Sequence, residues 1–208
     1  MILLDTSYFV VGKTDTKIVI DPDAVKPAYV NQRALLCRNA MAPELLSQLA
    51  SAAAKARFVS DTIEHLGHRW IERPSLIGTA IQLVLNRPLL LDWLKAVTGC
   101  TAEGAIEGRL VESRPGGEDH LSWHRDTMPN ARYEFGLTLH LRPCQYEGGA
   151  FEMRDSKSKQ PLFQHYPADP GDLLIFEVER RSEHRVMPVE SGQARLVFTG
   201  WFIASSVN

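Results

Sequence analysis

The residues of this sequence with the clearest capacity for chemistry are His124 and Asp126, in the segment Trp123-His124-Arg125-Asp126. In an extended strand residues i and i+2 point to one face, so this imidazole and this carboxylate can meet a single ion. Such a pair arises by chance in many chains and needs a third ligand to mean anything. His184, in Glu183-His184-Arg185-Val186, lies between two strand-like runs late in the chain and can supply it. Two imidazoles and one carboxylate on one face of an octahedron leave three positions open, the donor set of non-haem Fe(II) centres. Eleven residues past His184, Arg195 opens the run Arg195-Leu196-Val197-Phe198-Thr199-Gly200-Trp201-Phe202. A guanidinium inside a barrel requires an acidic partner, because an unpaired interior charge is very costly. A dicarboxylate ligand would provide one, gripped through the two-pronged contact that Arg makes with carboxylates.

Short strands must carry these residues. Beyond Gly99 the chain reads as apolar or β-branched runs divided by Gly, Pro and Asn: residues 108–112, 120–124, 133–141, 151–154, 172–177, 184–189 and 195–203. That regular spacing predicts a jelly-roll barrel or sandwich. Before it, runs at 8–11, 17–20 and 34–37 read as strands. Leu45, Leu46, Leu49 and Ala53 form a helical stripe over 43–56 with Pro43 in its first turn. Two further helices are expected over 75–86, with Ser75 as N-cap, and 87–97, closed by Gly99. Their leucines read as core packing. The organisation predicted is mainly β with flanking helices: a single domain over 1–208, with supporting strands and helices in 1–99 and the jelly-roll core in 100–208. Gly148-Gly149 and Pro170-Gly171 read as turns, and Phe176, Phe198, Trp201 and Phe202 as core. Trp123 suits either packing or the site. His65, His68 and His165 are expected on exposed surface.

Bulk properties restrict the function classes. With 44% hydrophobic and 23% charged residues the chain has the composition of an ordinary globular protein. A net charge of -2 provides no global positive field to hold nucleic acid or an anionic membrane. Cys37, Cys100 and Cys144 lack C-x-x-C spacing, so neither a disulfide framework nor a zinc knuckle is expected, and a reducing cytoplasm suits them. The N-terminal stretch shows no secretion signal. The apolar stretch 76–93 is broken by Gln82, Asn86, Arg87, Pro88 and Asp92, so a soluble protein without a membrane span is expected.

Taken in order, His124-Arg125-Asp126, Tyr146-Glu147-Gly148-Gly149-Ala150-Phe151, Pro170-Gly171-Asp172-Leu173-Leu174-Ile175-Phe176, His184 and Arg195 resemble the prolyl-hydroxylase-like 2-oxoglutarate and Fe(II)-dependent dioxygenases. The resemblance covers roughly residues 105 to 204, with weaker likeness back to residue 34. It implies a double-stranded β-helix of cupin-like type, iron at His124, Asp126 and His184, and 2-oxoglutarate held by Arg195. It also implies hydroxylation of a small molecule, amino acid or peptide side chain with release of succinate and CO2, and room for ascorbate as an auxiliary. His140 stands where the family often has a polar residue sharing the distal carboxylate. Ser113 stands where the family often has Tyr, and Arg195 where many prolyl hydroxylases have Lys, so a prolyl substrate is not implied. Related halogenases lack the carboxylate that Asp126 provides, which favours hydroxylation. Two rivals share the fold: a cupin-like metal isomerase or hydrolase, and a catalytically silent binding domain. The first leaves Arg195 unexplained, and the intact His, Asp, His and Arg set argues against the second. Arg125, Arg180, Arg181 and Arg185 cluster in sequence about the three ligands and suggest an anionic substrate.

Overall fold

The computed structural model describes residues 7–127, 132–143, 145–166, 169–178 and 181–205; Cys144 and Arg180 lie outside them. The first part of the chain runs β1 (Phe9–Val11), β2 (Thr16–Ile18), α1 (Pro22–Gln32), β3 (Ala34–Cys37), α2 (Pro43–Ala53), β4 (Phe58–Ile63), β5 (Gly67–Glu72), α3 (Leu76–Leu85) and α4 (Pro88–Thr98). Strands follow: β6 (Gly104–Ser113), β7 (His120–His124), β8 (Arg132–His140), β9 (Tyr146–Gly148), β10 (Phe151–Asp155), β11 (Pro161–His165), β12 (Leu173–Glu177), β13 (Ser182–Val186), β14 (Val189–Gly192) and β15 (Arg195–Ala204).

One large antiparallel sheet has the order β11-β10-β13-β7-β5-β6-β15-β8-β12-β3, with β4 on β5. It curls on itself. Phe151 of β10 and Phe176 of β12 stand far apart in that order, yet their rings pack at 4.8 Å. The two arms therefore close over a shared interior, giving the jelly roll that the strand spacing predicted, in the double-stranded β-helix form that the resemblance implied. Strand alternation along β15 divides its residues between two environments. Leu196, Phe198 and Phe202 point to the helices and are fully buried with Ile81, Leu85, Leu90 and Leu94. Arg195, Val197, Thr199 and Trp201 point into the interior of the roll and line a cavity of about 430 Å³.

Helix α3 packs on β6, α2 on α3 and α1 on α4, and their apolar side chains share one core with Leu196, Phe198 and Phe202 of β15. Gly99 closes α4 in the left-handed conformation (φ 76°), its N–H donating to the Lys95 carbonyl at 2.9 Å. Ser75 makes no side-chain cap on α3, contrary to expectation. Glu72 takes that role from the end of β5, accepting from the N–H groups of Leu76 (3.1 Å), Ile77 (2.7 Å) and Gly78 (2.9 Å). A buried carboxylate at a helix N-terminus both satisfies orphan donors and complements the helix dipole. Other departures have similar causes. The helix α1 carries Pro22 at its start and Pro27 within, which hid it. The run 184–189 divides at Met187-Pro188, because proline lacks the N–H a continuous ladder needs. Among the described residues Cys37 and Cys100 are free thiols, and no helix is long and apolar enough to cross a membrane.

Candidate metal centre

Antiparallel pairing of β13 with β7 places His184 directly opposite His124. Asp126 follows two residues beyond, where the chain leaves β7, and turns its carboxylate between the two rings. Its oxygens stand 3.5 Å from His124 Nε2 and 3.4 Å from His184 Nε2. All three candidate ligand atoms lie within 4.8 Å of one another, close enough to share one ion. The tautomer is set from behind. His124 Nδ1 donates to the Ser122 carbonyl at 2.7 Å, leaving the Nε2 lone pair aimed into the site. His184 is packed between Phe151 and Phe176, with ring centroids 5.4 and 5.0 Å away.

Electrostatics leave His184 and Asp126 ready to ligate. Burial brings the His184 imidazole down to about 4, with Asp126 opposing that shift and His124 adding to it. Burial pushes the Asp126 carboxyl up, but His184, His124 and the Trp201 N–H together hold it below its ordinary value. At neutral pH His184 is thus a neutral imidazole and Asp126 a carboxylate, the protonation states that metal binding requires.

Trp201, expected only as core, has a second task that strand alternation alone did not reveal. Its indole Nε1–H donates to Asp126 Oδ2 at 2.6 Å, fixing the carboxylate's rotation. Trp201→Phe preserves the ring stacked on Tyr133 at 5.4 Å but removes the donor. Anaerobic Fe(II) titration of this variant is expected to show affinity reduced by roughly 10- to 100-fold, the usual cost of losing a group that orients a ligand.

Arg195 lies in the same cavity and is 5% exposed. Among the described residues it has no carboxylate partner, and its Nε is buried without a hydrogen bond. Burial draws the guanidinium below its ordinary value, opposed by a hydrogen bond to Tyr146. Gly149 (φ 67°) makes the approach possible, because a Cβ there would meet Arg195 Cδ at 3.2 Å and the Tyr146 ring at 3.1 Å. Ser113 is paired in register with Arg195 and lines the cavity. The phenol absent at position 113 is thus replaced, as a neighbour of Arg195, by Tyr146 from another strand. His140 is buried and does not line the cavity; its ring meets His165 edge-on at 5.9 Å. Burial, then the charges of Arg195, His165 and Arg38, hold its imidazole well below the ordinary value.

Other sequence expectations change here. His65 is exposed, but His68 lies on β5, bonded to Asp119 and Ser60, and lines the cavity. His165 lies on β11, where burial lowers it to about 4. Trp123 faces outward beneath Arg154 and Arg185, whose guanidinium carbons sit 3.9 and 4.7 Å from its ring centre. Arg185 is ion-paired to Glu152 at 2.6 Å and so is not a free cation at the mouth. Arg125 lines the cavity, and Arg181 is exposed.

His140, His165 and His184 have a consequence for stability. In the unfolded chain each titrates near 6.5, whereas His165 and His184 are held to about 4 in the fold. Between those values the unfolded state binds more protons, so acid favours unfolding. The metal-free protein should keep full stability above pH about 6.5 and lose on the order of 2 kcal/mol per such histidine by pH about 5. Urea unfolding at pH 7.5 and 5 reads this; equal midpoints would contradict it.

Residues 110–203 match the family model of the 2OG-Fe(II) oxygenase superfamily. Among solved structures, a Pseudomonas putida prolyl-4-hydroxylase is 18% identical at TM-score 0.66, covering 89% of this chain and all (100%) of that one. A 2OG-Fe(II) oxygenase family oxidoreductase from Burkholderia pseudomallei is 15% identical at TM-score 0.70, covering 88% of this chain and 90% of that one. A Trichoplax adhaerens prolyl hydroxylase, solved with a peptide fragment of the hypoxia inducible factor oxygen degradation domain, is 16% identical at TM-score 0.64, with 88% and 89% covered. No curated protein sequence matches the chain. The segment that carries His124, Asp126, His184 and Arg195 is thus similar to the 2OG-Fe(II) oxygenase superfamily, and the chain shares the double-stranded β-helix fold of these structures.

Proposed function

We propose that the chain acts as one domain that hydroxylates a small molecule, amino acid or peptide side chain, with iron at His124, Asp126 and His184. The observation that carries this reading is one cavity holding both a three-ligand cluster and a buried Arg195 that lacks a carboxylate partner among the described residues. The donor set fits Fe(II), since three protein ligands on one side leave positions for a chelating co-substrate and dioxygen. The orphaned Nε of Arg195 fits the far carboxylate of 2-oxoglutarate. Bound together, iron and co-substrate supply oxidative chemistry that yields succinate and CO2.

The chain's own residues orient and exclude. Asp126, fixed by Trp201, stands between the two imidazoles and sets the direction from which further ligands enter. Arg195, with Tyr146 beside it and His140 within its electrostatic range, closes the end of the cavity and gives the co-substrate one orientation. Phe151, Phe176 and Val197 line the walls and keep water away from the reacting centre. The test is Fe(II)-dependent conversion of 2-oxoglutarate to succinate by the purified protein. Absence of any succinate above a metal-free control, with folded protein and anaerobically loaded iron, would overturn the reading.

A further inference from the structure

The register of β6 with β15 pairs Arg195 with Ser113, Val197 with Val111 and Thr199 with Arg109. All six line the cavity. Arg109 and Arg195 therefore stand on neighbouring strands, about 13 Å apart along them at the ordinary strand rise. Arg109 reaches the metal triad through Trp201: the Arg109 guanidinium sits 6.0 Å from the indole centre, and the indole donates to Asp126.

Arg109 is half-buried and, among the described residues, has neither a hydrogen bond nor an ion pair. Its surroundings explain why that matters. Asp61, the carboxylate that acts on Arg109, is hydrogen-bonded by Arg69 Nε at 2.8 Å. One acid thus faces Arg69, Arg73 and Arg109, leaving positive charge in excess on this wall. Burial and the charges of Arg69 and Arg73 bring the Arg109 guanidinium below its ordinary value, with Asp61 and Tyr133 opposing. The Tyr133 ring stacks on Trp201, and its hydroxyl also lacks a hydrogen bond among the described residues. A desolvated cation and an unused phenol that approach one indole from the two flanking strands are costly to leave without an anion.

We propose that Arg109 and the Tyr133 hydroxyl bind a carboxylate on the substrate, so that the triad acts on a small carboxylate compound. This rests on the oxygenase reading above and names its substrate class. The planar guanidinium fork matches the two oxygens of a carboxylate, and the excess positive charge of this wall favours an anion there. A cavity of about 430 Å³ shared with the co-substrate limits the substrate to a small molecule. Arg109, rather than the glutamate-bound Arg185, supplies the charge that draws an anion toward the triad.

The test uses a panel of N-acetyl amino acids and their primary amides, titrated calorimetrically into metal-free protein and into protein loaded with Mn(II) and 2-oxoglutarate. Succinate release on the same panel is measured with Fe(II). At least one acid is expected to bind and turn over better than its amide by about tenfold or more. Arg109→Leu and Tyr133→Phe should each erase that preference, and Arg109→Lys should restore part of it, since it keeps the charge without the fork. An amide preference, equal binding of every pair, no binding at all, or a preference that survives in Arg109→Leu each overturns the proposal. Formation of the Fe(II)·2-oxoglutarate absorption band in wild type separates this failure from failure of the oxygenase reading itself.

Discussion

Asp126→Ala is expected to weaken Fe(II) binding by well over 100-fold, beyond what removal of a supporting group costs. Its carboxylate is the element shared by the whole centre, standing 3.5 and 3.4 Å from the two ring nitrogens and accepting the Trp201 donor. His124→Ala and His184→Ala should each fall in the same range, because a two-ligand remnant cannot hold the ion on one face. The alanine variant also strands the half-buried Trp201 N–H, and loss of its partner costs up to about 1–3 kcal/mol of stability. Asp126→Asn separates the two effects: the amide oxygen can still accept from Trp201, so folding recovers while iron affinity does not. Anaerobic calorimetry on the four variants reads the affinities, and wild-type affinity in all three alanine variants would refute the ligand assignment.

Arg195→Ala is expected to divide the site's functions differently. Iron affinity should be kept, because the guanidinium is not a ligand, while 2-oxoglutarate affinity falls by roughly a hundredfold or more. That magnitude corresponds to the about 3–5 kcal/mol lost when one partner of a buried charge pair is removed. The metal-to-ligand absorption band of the anaerobic Fe(II)·2-oxoglutarate complex reports it. Arg195→Lys should recover only part of the affinity, since the ammonium lacks the planar fork. Full band formation in Arg195→Ala at wild-type co-substrate concentration would remove Arg195 from the role.

The core of this account is legible from local spacing because strand geometry is local. His124 and Asp126 are read from the period of two, and β7 emerges at His120–His124 as predicted. The jelly-roll strands and three helices follow from apolar periodicity and from Gly and Pro punctuation. What stayed hidden depends on registers and polar interiors. The hairpin β4–β5 reads poorly as strand because Asp61, His68 and Arg69 face a polar cavity, which interrupts the apolar alternation. Trp201 as the Asp126 donor, Tyr146 as the Arg195 neighbour and Glu72 as the cap of α3 are contacts between residues distant in sequence. Nothing in a single chain's spacing announces them. Arg185 illustrates the opposite error. Adjacent to a ligand in sequence, it is turned to the outer face by the same alternation that turns His184 inward, and there it meets Glu152 and Trp123.

The most direct measurement is a crystal structure of the protein soaked anaerobically with Mn(II) and 2-oxoglutarate. The account predicts one ion bound by His124 Nε2, Asp126 and His184 Nε2, with the far carboxylate of 2-oxoglutarate on the Arg195 guanidinium. An ion held by other side chains, or a co-substrate whose far carboxylate lies away from Arg195, would contradict it.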